Sequence, residues 1–274
     1  MLIDSGLGDA AFADVAPGDG DVCQPIVETG QESPLDLYVL LDKSQSMVGT
    51  KWTGARAGLD AFLNDAASVG VRVAFNFFPR PFSSGTPACD QKAYQTPRVP
   101  YGALPGNAKP ILDAFDAETA DGTDTPIYPA LGGAILASLA DAAANPTHNA
   151  AILLVTDGQP VGPAATCNGV DPEDPAQIGA LAATGLAQST PIRTFVVGLP
   201  GVNIGAAHQI ASAGGTGAAV LATGTNVQAE FQTALRLVRL QATPCTYVLP
   251  AAVTNGTTGL GFVNVVYTHG DGVT

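Results

Sequence analysis

Residues 35–42 read LDLYVLLD, and the chain continues KSQSMVGTKWTGARAGLDAFLND. Leu35 to Leu41 are apolar apart from Asp36, a length and composition that suit a strand buried on both faces. The run ends on Asp42, sets Ser44 and Ser46 at alternate positions, and then takes up helical spacing. Core packing gives no reason for one carboxylate and two hydroxyls at i, i+2 and i+4 above a buried strand. A hard cation does, because it takes oxygen ligands of this kind.

The alternation continues along the chain. VRVAFNFF (71–78), AAILLVTDG (150–158), IRTFVVGL (192–199) and AAVLAT (218–223) read as strands, with a shorter one around RVPYGAL (98–104). Helical patterns fill 52–68, 107–116, 173–189, 203–213 and 226–242. TPIYPALGGAILASLADAAA opens another helix, with Thr125 as N-cap and Pro126 at the first helical position, which proline favours. Continuous apolar runs alternating with helices predict an α/β fold, a doubly wound and mainly parallel sheet flanked by helices. Such sheets bind ligands outside the carboxyl ends of the strands, where strand order reverses. Two strands end in acids followed by polar residues, LLDKSQS and LVTDGQP, so Asp42 and Asp157 are expected on one edge.

With 11 Lys+Arg against 24 Asp+Glu, the formal charge of −13 disfavours nucleic acid and anionic membrane surfaces as partners. The most apolar helical stretch, ALGGAILASLADAAA, is short for a membrane span and carries Asp141, so it reads as a core helix. Residues 1–34 contain no Lys or Arg and no long apolar segment, which is not the pattern of an intact secretory signal. Their Gly, Ala, Asp and Pro content suits a flexible acidic linker. Residues 35–243 form the α/β domain in this reading, and 244–274 a short C-terminal β segment, with a turn signal at Asn255-Gly256.

Asp-x-Ser-x-Ser after the first strand, a threonine opening a later helix (GTDTPIYPAL) and VTDG closing a central strand together resemble the von Willebrand factor A (VWA) domain family, which carries a metal-ion-dependent adhesion site. The resemblance covers roughly residues 35–243 and includes strand order. It implies that Ser44 and Ser46 bind a divalent ion directly, and that Asp42 and Asp157 hold it largely through water. Thr125 stands six residues before Leu131, as the family's Thr-x-x-x-x-x-Leu pattern asks, and matches the third-loop ligand; Thr123 is the alternative, with Asp124 between them. The family often has Gly-Gly before this threonine, whereas here the residues are DGTD. Mg²⁺ is the ion implied, with Mn²⁺ or Ca²⁺ as alternatives. Neutral hydroxyls around it leave it electrophilic toward a carboxylate offered by a protein partner.

The function implied is an extracytoplasmic, metal-dependent protein-binding or adhesion module rather than an enzyme. The alternatives are a metal-assisted hydrolase on an α/β sheet and an intracellular VWA subunit working with an AAA-type ATPase. The hydrolase lacks sequence support: there is no Gly-x-Ser-x-Gly elbow, no His/Cys metal cluster and no Asp-x-Asp nucleophile pair at the strand end, since Asp42 is followed by Lys43 and Ser44. Taken singly, Ser44, Ser46 or Thr125 would serve as a helix cap. His148, His208 and His269 read as isolated surface or loop residues, Trp52 as packing at a helix start, and Lys43 as solvent-facing.

Cys23, Cys89, Cys167 and Cys245 form no Cys-x-x-Cys pair and no zinc spacing. They suit two disulfides in an oxidising compartment, with four reduced thiols as the cytosolic alternative. Cys23 and Cys245 fall below the sheet by element order, Cys89 and Cys167 on loops above it, giving the pairs Cys23–Cys245 and Cys89–Cys167.

Overall fold

A computed structural model describes residues 31–80, 89–162, 166–242 and 247–248. The strands are β1 (Gln31–Glu32), β2 (Leu35–Asp42), β3 (Arg72–Phe78), β4 (Val99–Ala103), β5 (Asn149–Thr156), β6 (Ile192–Gly198), β7 (Val220–Leu221) and β8 (Tyr247–Val248). The helices are α1 (Thr50–Leu63), α2 (Ala108–Asp116), α3 (Ile127–Ala144), α4 (Pro175–Leu186), α5 (Ile204–Ala213) and α6 (Val227–Ala242). Six strands make one sheet in the order β4-β3-β2-β5-β6-β7. All its pairings are parallel except the edge pair β3–β4.

The chain starts in the middle at β2, builds outward through β3 and β4, and returns to lay β5 on the other flank of β2. Strand order therefore reverses between β2 and β5, and their carboxyl ends frame the crevice where α/β sheets bind ligands. Leu41 is paired with Val155, which puts Asp42 level with Thr156.

All eight residues of β2 are buried, and its side chains alternate between two cores. Leu35, Leu37, Val39 and Leu41 pack with Ala55, Leu59 and Phe62 of α1, Ile111 and Phe115 of α2, and Phe231 and Leu235 of α6. Tyr38 and Leu40 face Leu131 and Ala134 of α3, Ile178 of α4 and Ile210 of α5. Each face of the sheet is thus sealed by helices, which is why the strand reads as an almost continuous apolar run. Among the described residues, α3 is the one helix long and apolar enough to cross a membrane; Ile127, Ala130, Leu131, Ala134 and Ile135 of it are buried in the second core. α1 and α6 cross closely at Gly54 and Gly58. A Cβ on Gly58 would stand 2.8 Å from Phe231 Cδ1 and 3.2 Å from the Gln228 carbonyl oxygen.

Several elements differ from the sequence expectation. α1 begins at Thr50 and stops at Leu63; Asp65 then accepts the Ala67 N–H at 3.0 Å and starts a separate 3-10 turn, Ala66–Ser68. α4 is shorter than 173–189 because Asp174 caps it, accepting the Ala176 N–H at 2.9 Å, with Pro175 at the first helical position. α3 starts at Ile127, so Pro126 is its N-cap and Thr125 is not. The Thr125 carbonyl instead accepts N–H groups from Ile127 at 2.8 Å and Val161 at 3.1 Å, holding the residue outside the helix. At the end of the expected linker, Gln31–Glu32 pair antiparallel with Tyr247–Val248 of the C-terminal segment. Residues 1–30, 243–246 and 249–274, with Cys23, Cys245, Asn255 and His269, lie outside the described residues.

His148 is not an isolated surface residue. Its Nδ1 lies 3.0 Å from Asp36 Oδ2, and Arg72 Nη1 is 2.7 Å from the same oxygen. Arg72 also pairs with Asp141 at 3.0 Å. Burial, reinforced by Asp141, pushes the Asp36 carboxyl above the usual carboxylate range against the pull of His148 and Arg72. This cluster sits at the amino end of β2, away from Asp42. His208, on α5, accepts the Ala219 N–H at 3.1 Å.

Candidate functional site

Asp42 closes β2 fully buried, and both its oxygens are engaged. Oδ1 accepts the Ser44 N–H at 2.8 Å, and Oδ2 accepts the Thr156 hydroxyl at 2.7 Å. Burial pushes its carboxyl up to about 6; the hydrogen bonds from Thr156 and Ser44 pull the other way, and nearby Asp157 adds to the rise. After Ser44 the chain makes a 3-10 turn, Gln45–Met47, whose Met47 side chain is buried in the first core. Gly49, at φ +87°, then supplies the left-handed step into α1. The turn presents the two serines side by side: Ser44 Oγ is 2.9 Å from Ser46 Oγ.

Ser46 Oγ donates to Asp157 Oδ1 at 2.7 Å, which links the loop after β2 to the loop after β5. The other oxygen of Asp157 is ion-paired with Lys51, from the first turn of α1. The Asp157 side chain is wholly buried, while that of Lys51 is 21% exposed. A cation in the first helical turn opposes the helix dipole, and Asp157 is what offsets this.

The third loop is stitched on by its backbone. Gln45 N–H donates to Gly122 O at 2.7 Å, and Gly122 N–H to Lys43 O at 3.0 Å. Only glycine fits here, since a Cβ on Gly122 would stand 2.2 Å from Pro79 Cγ. The stitch brings residues 123–125 to the edge. Thr125 is buried, with its Oγ1 3.6 Å from where a Cβ on Gly158 would stand; Thr123 is exposed. Lys43 is not solvent-facing: it is 5% exposed and pairs with Glu118 at 2.8 Å and Asp121 at 3.1 Å, tying the strand end to the segment after α2. A cavity of about 370 Å³ beside it is lined in part by Lys43, Arg80, Arg98 and Glu118.

The structure therefore gathers Asp42, Ser44, Ser46 and Asp157 into one hydrogen-bonded group, with the Thr125 hydroxyl at its flank. No cluster of three or more His, Cys, Asp or Glu that could hold a metal occurs among the described residues. The donors here are two carboxylates and three hydroxyls, a set chemically suited to a hard divalent ion that retains waters. Sequence reasoning missed Thr156 and Lys51. Thr156 stood in plain view beside Asp157, and Lys51 could have been noticed as a cation in an acid-free first helical turn. Trp52 packs at the helix start as expected, its ring centroid 4.4 Å from that of Phe115.

Cys89 and Cys167 are disulfide-bonded, with Cα atoms 5.3 Å apart. The bond joins the segment after β3 to the segment after β5, both beyond the carboxyl edge of the sheet, as element order predicted.

The sheet order and flanking helices define a VWA-like α/β fold. No protein-family model matches the sequence, and no curated protein sequence does. Among solved structures, the chain is similar to proximal thread matrix protein 1 of the mussel byssus, with 14% identity and a TM-score of 0.52 over 79% of this chain and 48% of that one. It is also similar to the pilus adhesin SpaC from Lactobacillus rhamnosus GG, with 14% identity and a TM-score of 0.53 over 77% of this chain and 30% of that one. The vWF domain of the type V pili tip protein Mfa5 from Porphyromonas gingivalis aligns over 79% of this chain and 98% of its own, with 13% identity and a TM-score of 0.47. The chain spans about half the length of the mussel protein and less than a third of the pilus adhesin.

Proposed function

We propose that this chain is an extracytoplasmic protein-binding module of the adhesion type. In this reading Asp42, Ser44, Ser46, Thr125 and Asp157 hold a divalent cation, Mg²⁺ foremost, that takes an acidic group of a partner protein. The observation that carries the proposal is the convergence of an all-oxygen donor set from three loops on the strand-order reversal between β2 and β5. When bound, the ion supplies Lewis acidity toward a carboxylate. The protein's own residues do the rest. Asp42, held between Thr156 and the Ser44 N–H, provides fixed negative charge at the base of the site. Ser44 and Ser46 offer neutral oxygens that leave most of the ion's charge uncancelled. The pairing of the Gly122 loop with the Asp42 loop keeps Thr125 beside them.

The Cys89–Cys167 bond supports an oxidising compartment and weighs against the cytosolic ATPase-partner reading. The names of two solved relatives, a pilus adhesin and a byssal thread matrix protein, agree with a surface role. Calorimetry with Mg²⁺ and Mn²⁺ tests the metal site. Asp42→Ala, or Ser44→Ala with Ser46→Ala, should abolish binding while circular dichroism is unchanged; undiminished affinity overturns the proposal. A pull-down from the native surface with and without EDTA then tests for a metal-dependent protein partner.

A further inference from the structure

Lys51 has no place in the ligand set above, yet its ammonium is ion-paired with one of the two carboxylates of that set. Each oxygen of the buried Asp157 is engaged: Oδ1 by Ser46 Oγ at 2.7 Å, Oδ2 by Lys51. A divalent ion drawing on Asp157 must therefore share that carboxylate with the ammonium or displace it. Two positive charges on one wholly buried carboxylate repel, because little water lies between them to screen the field. The lysine has somewhere to go. Its side chain is 21% exposed and rides on a flexible stem at the first turn of α1, so it can exchange Asp157 for solvent without unwinding the helix.

We propose that Lys51 is a tethered competitor for the cation site, a positioning residue that sets the concentration of divalent ion at which the partner-binding form is reached. The inference rests on the metal-site reading. Asp42 and Asp157 contribute two negative charges, and Lys51 returns one positive charge. Without a divalent ion the ammonium moderates the repulsion between the two acids. When the ion binds, that compensation becomes an opposing charge. The module is thereby biased to load only where divalent ions are plentiful. The wall behind the ammonium is fixed: Gly201, at φ +108°, has its Cβ position 3.8 Å from Lys51 Nζ and 2.9 Å from the Asp157 carbonyl oxygen.

The test is calorimetric titration of Mn²⁺ and Mg²⁺ into the full chain and into Lys51→Met and Lys51→Arg, with melting curves in EDTA. Lys51→Met should bind Mn²⁺ about tenfold more tightly, the order expected for removing one part-buried opposing charge. It should also melt at lower temperature than wild type in EDTA, since two acids then face each other uncompensated. Lys51→Arg keeps the charge and should titrate like wild type. A purely structural lysine would instead give weaker or unchanged ion affinity in Lys51→Met, and either result overturns the proposal. Should Lys51→Met not fold, Lys51→Gln takes its place with the same expectation. If wild type and every variant bind no ion, the metal-site reading falls and takes this one with it. If wild type binds and Lys51→Met binds no tighter, only the competitor role falls.

Discussion

Thr156 and Asp42, 114 residues apart in sequence, meet through a 2.7 Å hydrogen bond in which the threonine hydroxyl donates to Asp42 Oδ2. The bond crosses from β5 to β2 at the point where strand order reverses. It also leaves that hydroxyl free to accept the Gly158 N–H at 3.2 Å, so one side chain positions both acidic loops.

Thr156→Val keeps the shape and removes that donor. It should destabilise the fold by about 1–3 kcal/mol, the usual cost of leaving a buried acceptor unpaired. Urea denaturation should show it as a lower midpoint. Cation affinity should fall at the same time, because the Asp42 carboxylate is no longer held.

The Asp42 carboxyl, pushed up to about 6, predicts opposite pH trends with and without a divalent ion. In EDTA the folded state binds this proton more tightly than the unfolded chain, where the group titrates near 4. Its contribution to stability is thus present below about pH 4 and lost as pH rises through about 6. The ion needs the carboxylate ionised, so affinity should fall by up to about tenfold per pH unit below 6 and level off above 7. Titrations between pH 5 and 8 check this; an affinity independent of pH would count against Asp42 as a ligand.

Gly122→Ala places a Cβ 2.2 Å from Pro79 Cγ and 3.2 Å from the Lys43 carbonyl oxygen. Overpacking of this kind costs about 1–3 kcal/mol. The strain falls on the stitch between the Lys43 and Thr125 loops, so ion affinity should drop by more than the small loss in melting temperature suggests. Equal affinity in variant and wild type would show that the stitch at Gly122 does not control the site.

Cys89→Ser with Cys167→Ser opens a loop whose ends are 78 residues apart. The chain-entropy estimate for a loop of that length is about 4.5 kcal/mol. Neither cysteine belongs to the six-stranded sheet or to either core. The double variant should therefore retain its circular dichroism and show a reduced urea midpoint.

The fold was legible because its signals are local and repeated. A strand buried on both faces must be apolar at nearly every position, and LDLYVLLD is. Parallel strands end on one edge, so the acids closing LLD and LVTD had to share it. What escaped sequence reading depends on partners distant in the chain. Lys43 follows a buried acid and looks free to reach water; Glu118 and Asp121 arrive from the far side of α2 to bury it. Thr125 before Pro126 looks like a cap until Val161 takes its carbonyl. His148 seems isolated in sequence, but the register Leu35↔Asn149 sets it beside the start of β2 and hence near Asp36. Lys51 was hidden by its place in a helix, where a lysine ordinarily faces solvent.

The two-residue ladder β1–β8 has a mechanical consequence. Gln31 and Val248 are paired Cα partners, so the chain enters and leaves the α/β body side by side, about 5 Å apart. A tensile load on the two strands leaving the body there peels this ladder one pair at a time before it reaches the sheet. The acidic edge at Asp42 stands off from that point by the whole length of β2, about 25 Å at the usual rise per residue. A grip formed at Asp42 would draw force through the six-stranded sheet along its strands, in shear. The same force applied across Gln31 and Val248 would only unzip this ladder. The body is thus built to resist pulling from its acidic edge far better than prying at its base.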